Sequence, residues 1–200
     1  MRSFYFLRLW NSVFGRVLGI SELSPWAGGQ RLFAETVPNR AGFKLIEALN
    51  TFGIRLQTGS HALDLGAAPG AWTTVLRRRG VRVTAVAPAE KYYRWLLSDP
   101  AVRIFPMTAE DYLPVCDTTY DLITNDMILD AQDSARLMID YAEYLRPHGT
   151  AIMTVKLRSH NERRVMDHSF RLLRQAYKII RVRQLVSNRR EVTLFLQRKE

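Results

Sequence analysis

The stretch His61-Ala-Leu-Asp-Leu-Gly-Ala-Ala-Pro-Gly-Ala-Trp72 decides the fold of this chain. It opens with a short apolar run that ends at Gly66 and is too brief for a free-standing helix, so it predicts a buried strand. Residues 66–70 are small and typical of a turn, and residues 71–79 have helical spacing. Small residues let a ligand approach the backbone, and a helix N-terminus offers unpaired N–H donors. This order of elements therefore predicts a nucleotide pocket.

Two familiar phosphate-binding motifs do not occur in the sequence. It contains neither G-x-G-x-x-G nor G-x-x-x-x-G-K-[ST]. Asp64 lies inside the predicted strand, where its carboxylate could meet a cationic ligand or support the loop. The alternative for the whole stretch is a tight strand–helix turn that holds no ligand.

The segment D-L-G-A-A-P-G-A-W resembles the first motif of S-adenosylmethionine-dependent methyltransferases. Its A-A-P-G-x-W ending is similar to that of the FtsJ/RrmJ group, which methylates the ribose 2′-hydroxyl of RNA. The resemblance implies a Rossmann-like α/β fold, with a mostly parallel seven-stranded sheet, an antiparallel last strand and helices on both faces. It implies S-adenosylmethionine as the cofactor and RNA, expected to be ribosomal, as the partner. The cofactor-binding residues implied in this motif are Asp64, Gly66, Ala67, Ala68, Pro69, Gly70 and Trp72.

Four further segments resemble motifs of the same family. They are similar to its S-R-A-x-x-K-L sequence, its S-D-M element, its strand ending in V-K-L and its R-E-V-Y ending. Each carries one residue of the family's Lys–Asp–Lys–Glu tetrad, and in chain order these are Lys44, Asp126, Lys156 and Glu191. Taken singly, Lys44 is more simply a solvated helix lysine, Asp126 a cap or turn aspartate, and Lys156 a lysine that reaches solvent. The matching order of five motifs favours the tetrad.

Two positions depart from the usual cofactor site. In most Rossmann-like methyltransferases an acidic residue ends the second strand and holds the ribose hydroxyls of the cofactor, but here that position is Ala87. Glu90 is near enough in sequence to substitute. Thr108 stands where an acid is expected after the third strand. We count Ala87, Thr108 and Asp126 among the cofactor-site positions. Since Ala87 and Thr108 lack the usual carboxylates, poor or absent binding of S-adenosylmethionine stays an alternative.

Positive charge is concentrated near the end of the chain. The formal net charge is +10, and the last 50 residues contain 13 Lys or Arg against 4 Asp or Glu. Such asymmetry predicts a cationic face suited to a polyanion such as RNA, whereas the alternative is a solubilising surface. Within the family, residues 78–86 and 189–193 look closest to the catalytic domain of the bacterial large-subunit rRNA cytidine-2′-O-methyltransferases.

Length and composition favour one α/β domain over residues 39–200. Residues 1–38 are predicted to form an amphipathic helix and a loop that extend it. No apolar run is long enough to span a membrane. Cys116 is the only cysteine, and the four histidines show no ligand spacing, so we expect neither a disulfide nor a metal site. These features favour a cytoplasmic protein.

Three functions remain in competition. The first is an RNA ribose 2′-O-methyltransferase in which Lys156 is the base and Asp126 positions it. The second is a non-catalytic RNA- or ribosome-binding module that keeps the fold, favoured by Ala87 and Thr108 but not by the intact tetrad. The third is a small-molecule methyltransferase, which the basic charge disfavours. We expect the first.

Overall fold

A computed structural model describes residues 40–88, 94–158 and 161–200 of the chain. The extension predicted over residues 1–38 lies outside the described residues, and so does Glu90. In chain order the strands are β1 (His61–Leu65), β2 (Arg82–Val86), β3 (Val102–Phe105), β4 (Tyr120–Asn125), β5 (Leu145–Lys156), β6 (Tyr177–Arg183) and β7 (Glu191–Arg198).

The seven strands form one sheet in the order β3-β2-β1-β4-β5-β7-β6. The pairs β1–β2, β1–β4, β2–β3 and β4–β5 are parallel. Strand β7 runs antiparallel to both of its neighbours, β5 and β6. The predicted sheet, mostly parallel with an antiparallel last strand, is therefore confirmed.

The described helices fill the connections between these strands. The α-helices are α1 (Ala41–Phe52), α2 (Ala71–Arg77), α3 (Ala109–Tyr112), α4 (Ala131–Asp140) and α5 (Glu162–Leu173), and short 3-10 turns cover Arg94–Ser98, Leu113–Val115 and Tyr141–Tyr144. Helix α1 ends at Phe52 because Gly53, with φ of 68°, is the first residue to leave the helix.

Helices cover both faces of the sheet, as predicted. From β1 the chain moves outward to β2 and β3, and it later adds β4 and β5 on the other side of β1. Because parallel connections are right-handed, the helices of the two halves lie on opposite faces. Helix α1 packs with α2, and α4 packs with α5.

The hydrophobic core is built around β1, which lies between β2 and β4. Four of its five residues are buried, as expected for a central parallel strand that is covered on both faces. This burial explains why Ala62, Leu63 and Leu65 do not alternate with exposed polar residues. It also fixes the position at which the following loop leaves the sheet.

Truncation of Leu63 tests this central position. Leu63→Ala should lower the free energy of unfolding by about 3 kcal/mol, because a fully buried side chain leaves a cavity. Leu97→Ala removes the same atoms from a residue that is 55% exposed and should change the value by less than about 0.5 kcal/mol. Urea denaturation of both variants measures the difference, and equal losses would contradict the assignment of β1 to the core.

Candidate active site

The four side chains predicted to form a tetrad meet at one edge of the sheet. Asp126 directly follows β4, and Lys156 is the last residue of β5. Glu191 opens β7 and is the direct partner of Lys156 in the antiparallel ladder. Lys44 reaches the same edge from α1. Ligands of open α/β sheets bind at the carboxyl ends of the parallel strands, which is where these groups lie.

Each ammonium group of the tetrad contacts both carboxylates. Nζ of Lys44 lies 3.1 Å from Oδ2 of Asp126 and 2.7 Å from Oε1 of Glu191. Nζ of Lys156 lies 2.6 Å from Oδ1 of Asp126 and 2.5 Å from Oε2 of Glu191. The four groups form a closed ring in which positive and negative charges alternate. Their formal charges cancel.

The ring is largely shielded from solvent. The side chains of Lys44 and Asp126 are each 14% exposed, that of Lys156 is 11% exposed and that of Glu191 is 7% exposed. Burial alone would lower the pKa of Lys44, but Asp126 and Glu191 outweigh it and the pKa is raised. Burial alone would raise the pKa of Glu191, but hydrogen bonds from the two lysines leave it lowered. Both shifts favour the charged forms.

One further residue holds the ring in place. Oγ1 of Thr154 donates a hydrogen bond of 2.7 Å to Oδ1 of Asp126, the oxygen that also accepts from Lys156. Thr154 lies two residues before Lys156 in β5, so both side chains are on the same side of the strand. Sequence reasoning missed this threonine, although the two-residue spacing from Lys156 was a signal for it.

The loop after β1 adopts a conformation that requires glycine. Gly66 has φ of 74° and Gly70 has φ of 94°, both in the left-handed region. A Cβ added to Gly66 would lie 2.3 Å from Cγ of Met127, so the loop packs directly against the residue after Asp126. The amides of Gly66 and Ala67 both donate to the carbonyl of Val86 at the end of β2. The predicted turn thus lies next to the ends of β2 and β4.

Part of this loop faces outward. Gly66 and Ala68 are half-buried and Pro69 is exposed, whereas Ala67 and Gly70 are buried. The loop therefore offers a small-residue surface at the same edge of the sheet as the tetrad.

Asp64 lies beneath the loop, inside the fold. It is 2% exposed, and it accepts hydrogen bonds from Oγ1 of Thr73 at 2.6 Å and from Oγ1 of Thr124 at 2.9 Å. Burial raises its pKa to about 6, although the two hydroxyl groups oppose this shift. These contacts join α2 and β4 to β1 on either side of the loop. Direct contact with a cofactor stays a prediction.

Trp72 also has an internal contact. Its ring is buried, and Nε1 donates to the carbonyl of Ala41 at 2.8 Å, which fixes α2 against the start of α1. Core packing accounts for this residue.

The two positions that lack the usual acids lie after β2 and at the start of α3. Ala87 is buried directly after β2. Thr108 is the N-cap of α3, and its hydroxyl accepts from the amide of Asp111. The cofactor roles of Trp72, Ala87 and Thr108 stay predictions.

The described residues contain neither a metal-binding cluster nor a membrane-spanning helix. No group of three or more His, Cys, Asp or Glu residues is placed to hold a metal ion there. No helix in these parts of the chain is both long and apolar enough to cross a membrane.

Comparison with known proteins gives a consistent result. Residues 37–182 match the model of a family described as FtsJ-like methyltransferase. Among curated proteins, the ribosomal RNA large subunit methyltransferase M of Halorhodospira halophila is 33% identical over 192 residues, which cover 90% of this chain and 53% of that protein. The enzyme of the same name from an Azoarcus species is 29% identical, with 88% and 51% covered. The chain thus spans about half the length of these relatives.

Solved structures share the fold. A chain of the fibrillarin/Nop5p complex superposes with a TM-score of 0.66 at 19% identity, and the match covers 89% of this chain and 91% of that one. The N-methyltransferase NodS from Bradyrhizobium japonicum superposes with a TM-score of 0.60 at 14% identity, with 80% and 95% covered.

The buried carboxyl of Asp64 should make stability depend on pH. Its pKa is 3.8 in a model peptide and about 6 in the folded protein, so the folded state holds the proton more tightly. Its contribution to stability is therefore full at acidic pH and is lost as pH rises through this window, by about 3 kcal/mol. Asp64→Asn does not titrate, so its stability relative to wild type should rise between pH 4 and about pH 6.

Urea denaturation across this pH range measures the effect. Asp99→Asn is the matched control, because hydrogen bonds from Arg77 lower the pKa of Asp99. Because the pKa of Asp99 is lowered, this group titrates at lower pH than Asp64, and the stability of Asp99→Asn relative to wild type should stay nearly constant between pH 4 and about pH 6. A pH-independent difference for Asp64→Asn would contradict the raised pKa.

Proposed function

Because this chain belongs to the FtsJ-like methyltransferase family, we propose that it transfers a methyl group from S-adenosylmethionine to a ribose 2′-hydroxyl of ribosomal RNA. The observation that carries this proposal is the closed ring formed by Lys44, Asp126, Lys156 and Glu191 beside the loop of residues 66–70. The names of the relatives support ribosomal RNA as the substrate.

The residues around the loop fit this cofactor in part. The loop consists of small residues, of which Pro69 is exposed and Gly66 and Ala68 are half-buried, so a ligand can approach its backbone there. Residue 87 offers no carboxylate to the ribose hydroxyls of the cofactor. When bound, S-adenosylmethionine supplies an electrophilic methyl carbon on a sulfonium sulfur.

In the proposed reaction the tetrad provides the base that the ribose hydroxyl requires. A ribose hydroxyl hardly ionises near neutral pH, so a base must take its proton as the new bond forms. In the proposed reaction the ribose oxygen bonds to the methyl carbon, the carbon–sulfur bond breaks with its electron pair on sulfur, and the proton passes to Nζ of Lys156. Lys156 must first lose one proton to solvent.

In this proposal Lys156 is the base and Lys44 stays protonated. The pKa of Lys44 is raised, so Lys44 keeps its charge and its contacts with Asp126 and Glu191 when Lys156 becomes neutral, and the ring then carries one net negative charge. Asp126 then accepts from Thr154 and Lys44 and holds Lys156 in position. In this scheme Lys44 and Glu191 orient the groups, and Lys156 alone exchanges a proton with the substrate.

A non-catalytic RNA-binding module is the second candidate. The observation in its favour is Ala87, which removes the acid that usually holds the cofactor. A module of this kind would bind RNA but would neither bind S-adenosylmethionine nor depend on Lys156. The ring itself is evidence against this function, because a binder does not need four buried charged groups.

Replacement of Lys156 tests the proposal. Lys156→Met keeps the length of the side chain but cannot take a proton, so the rate of RNA methylation should fall by about 100-fold or more. Binding of S-adenosylmethionine, measured by calorimetry, should remain within about threefold of wild type. Transfer of a radioactive methyl group to ribosomal RNA, followed by nucleoside analysis for 2′-O-methylation, measures the rate.

Lys178→Met is the matched control, because Lys178 is an exposed lysine of β6. It should methylate RNA at the wild-type rate. Full activity of Lys156→Met would rule out its role as the base. Wild-type protein that binds RNA but not S-adenosylmethionine, even with RNA present, would favour the non-catalytic module.

A further inference from the structure

Helix α5 carries a line of basic side chains close to the tetrad. Arg164, His168 and Arg171 are spaced by four and three residues, so they lie on one face of the helix. Both arginines are exposed, and His168 is half-buried. We call these three residues the α5 stripe. The opposite face of the helix is buried in the core through Met166, Ser169, Phe170 and Leu173.

The α5 stripe borders a concave surface. A cavity of about 360 Å³ is lined by Asn161, Arg163, Arg164, Asp167, His168 and Arg171. An adjoining cavity of about 380 Å³ is lined by Gln132 of α4 together with Asn161, Arg164, Val165 and His168. The lining thus combines charged donors with amide and imidazole groups that can form hydrogen bonds.

The nearby acids are engaged with other arginines. Asp167 lies 3.9 Å from Nε of Arg163, and Glu162 lies 3.5 Å from Nη2 of Arg190. Within residues 40–88, 94–158 and 161–200, Arg164 and Arg171 have no salt-bridge partner. Two exposed guanidinium groups that form no salt bridge with the described residues are suited to phosphate groups.

The stripe starts next to the candidate active site. Glu162, the first residue of α5, contacts Arg190, and Arg190 directly precedes Glu191 of the tetrad. The carbonyl of Arg190 also accepts the amide of Leu157, which directly follows Lys156. From Arg164 to Arg171 the helix then rises by about 10 Å, away from that contact. A strand that places one ribose at the tetrad can therefore continue along the α5 stripe.

We propose that the α5 stripe binds the phosphate backbone of the RNA substrate on one side of the nucleotide that is methylated. This proposal rests on the proposed function. The contacts supply affinity and register, and they are independent of base sequence.

A double variant tests the stripe. Arg164→Gln/Arg171→Gln should weaken binding of a fluorescein-labelled single-stranded RNA about tenfold at 0.1 M salt, because two phosphate contacts are lost. The slope of log K against log salt concentration should become shallower by about 1.4. Arg55→Gln/Arg82→Gln removes the same charge from exposed arginines that precede β1 and begin β2, at the other edge of the sheet, and should change affinity less than about twofold.

The outcomes separate this proposal from the function. If both double variants lost RNA affinity equally, the proposed role of the α5 stripe would be overturned. RNA methylation by the wild-type protein would still support the proposed function. Wild-type protein that neither binds nor methylates RNA would overturn both. If the Arg164→Gln/Arg171→Gln variant kept its RNA binding but lost binding to phosphatidylserine vesicles, the stripe would belong to a membrane surface and the proposal would be overturned.

A second, independent observation concerns Glu47 in α1. It is 3% exposed, and its two carboxyl oxygens accept the backbone amides of Val186 and Ser187 at 2.7 and 2.8 Å. Val186 and Ser187 belong to the loop between β6 and β7, far from Glu47 in sequence. A buried acid is costly unless it is hydrogen-bonded, and here both oxygens are satisfied by one short loop.

The same loop is tied to the tetrad on its other side. Nδ2 of Asn188 donates to the carbonyl of Glu191 at 3.2 Å and to Oγ1 of Thr193 at 3.0 Å. Glu47 is also one helical turn after Lys44. Glu47 therefore joins the helix that carries Lys44 to the loop that leads into Glu191.

We propose that Glu47 is a positioning residue that sets the distance between Lys44 and Glu191. It acts through the backbone and does not touch the substrate. Loss of its contacts should shift the tetrad and slow the chemical step without weakening substrate binding.

The test compares two acids that hold backbone amides. Glu47→Gln keeps the shape of the side chain but replaces one acceptor oxygen with an amide donor, and kcat should fall about tenfold while KM for S-adenosylmethionine and RNA changes less than twofold. Asp121→Asn is the control, because Asp121 accepts the amide of His61 at 2.8 Å at the opposite edge of the sheet. Its kcat should stay at the wild-type value at a temperature where both variants are folded.

A second readout does not depend on catalysis. Hydrogen exchange at the amide of Leu157, which donates to the carbonyl of Arg190 between the loop and Glu191, should be faster in Glu47→Gln than in wild type and unchanged in Asp121→Asn. Equal exchange rates in all three proteins, or a loss of kcat of the same size in both variants, would overturn the positioning role. If exchange were faster in Glu47→Gln but the wild-type protein transferred no methyl group, the positioning role would be supported and only the proposed function would be overturned.

Discussion

The mutual neutralisation of two lysines and two carboxylates is the constraint on which the site depends. A buried charge is costly unless it is paired, and removal of one partner leaves the others uncompensated. Here each group contacts two groups of opposite charge, so Lys44, Asp126, Lys156 and Glu191 are stable only as a set. Four separate elements must therefore bring their charged side chains to the same point of the fold.

The antiparallel last strand makes this convergence possible. The tetrad lies at the carboxyl edge of the parallel strands, where Lys156 ends β5. In a sheet that was parallel throughout, the first residue of β7 would lie at the opposite edge. Because β7 runs the other way, its first residue, Glu191, pairs directly with the last residue of β5. The reversal of one strand thus brings the fourth charged group to the other three.

Local pattern was enough to predict the strand, the turn and the helix around residues 61–79, because each depends on residues close together in sequence. The tetrad was predictable because its residues lie within recognisable motifs. The partners of Asp64 were not, since Thr73 and Thr124 reach it through the packing of α2 and β4. Glu47 and Thr154 were missed for the same reason: an ordinary helix glutamate and strand threonine show their role only when distant segments meet.

The charge balance of the ring has a consequence for the way salt acts on the protein. A group of charges that sums to zero exerts little force on a polyanion beyond its immediate neighbours, so the lysines of the tetrad contribute little to long-range attraction. That attraction comes from arginines such as those of the α5 stripe, whose field is screened by ions in solution. Ionic strength thus governs the long-range attraction of a polyanion such as the proposed RNA substrate, whereas the buried ring is screened much less.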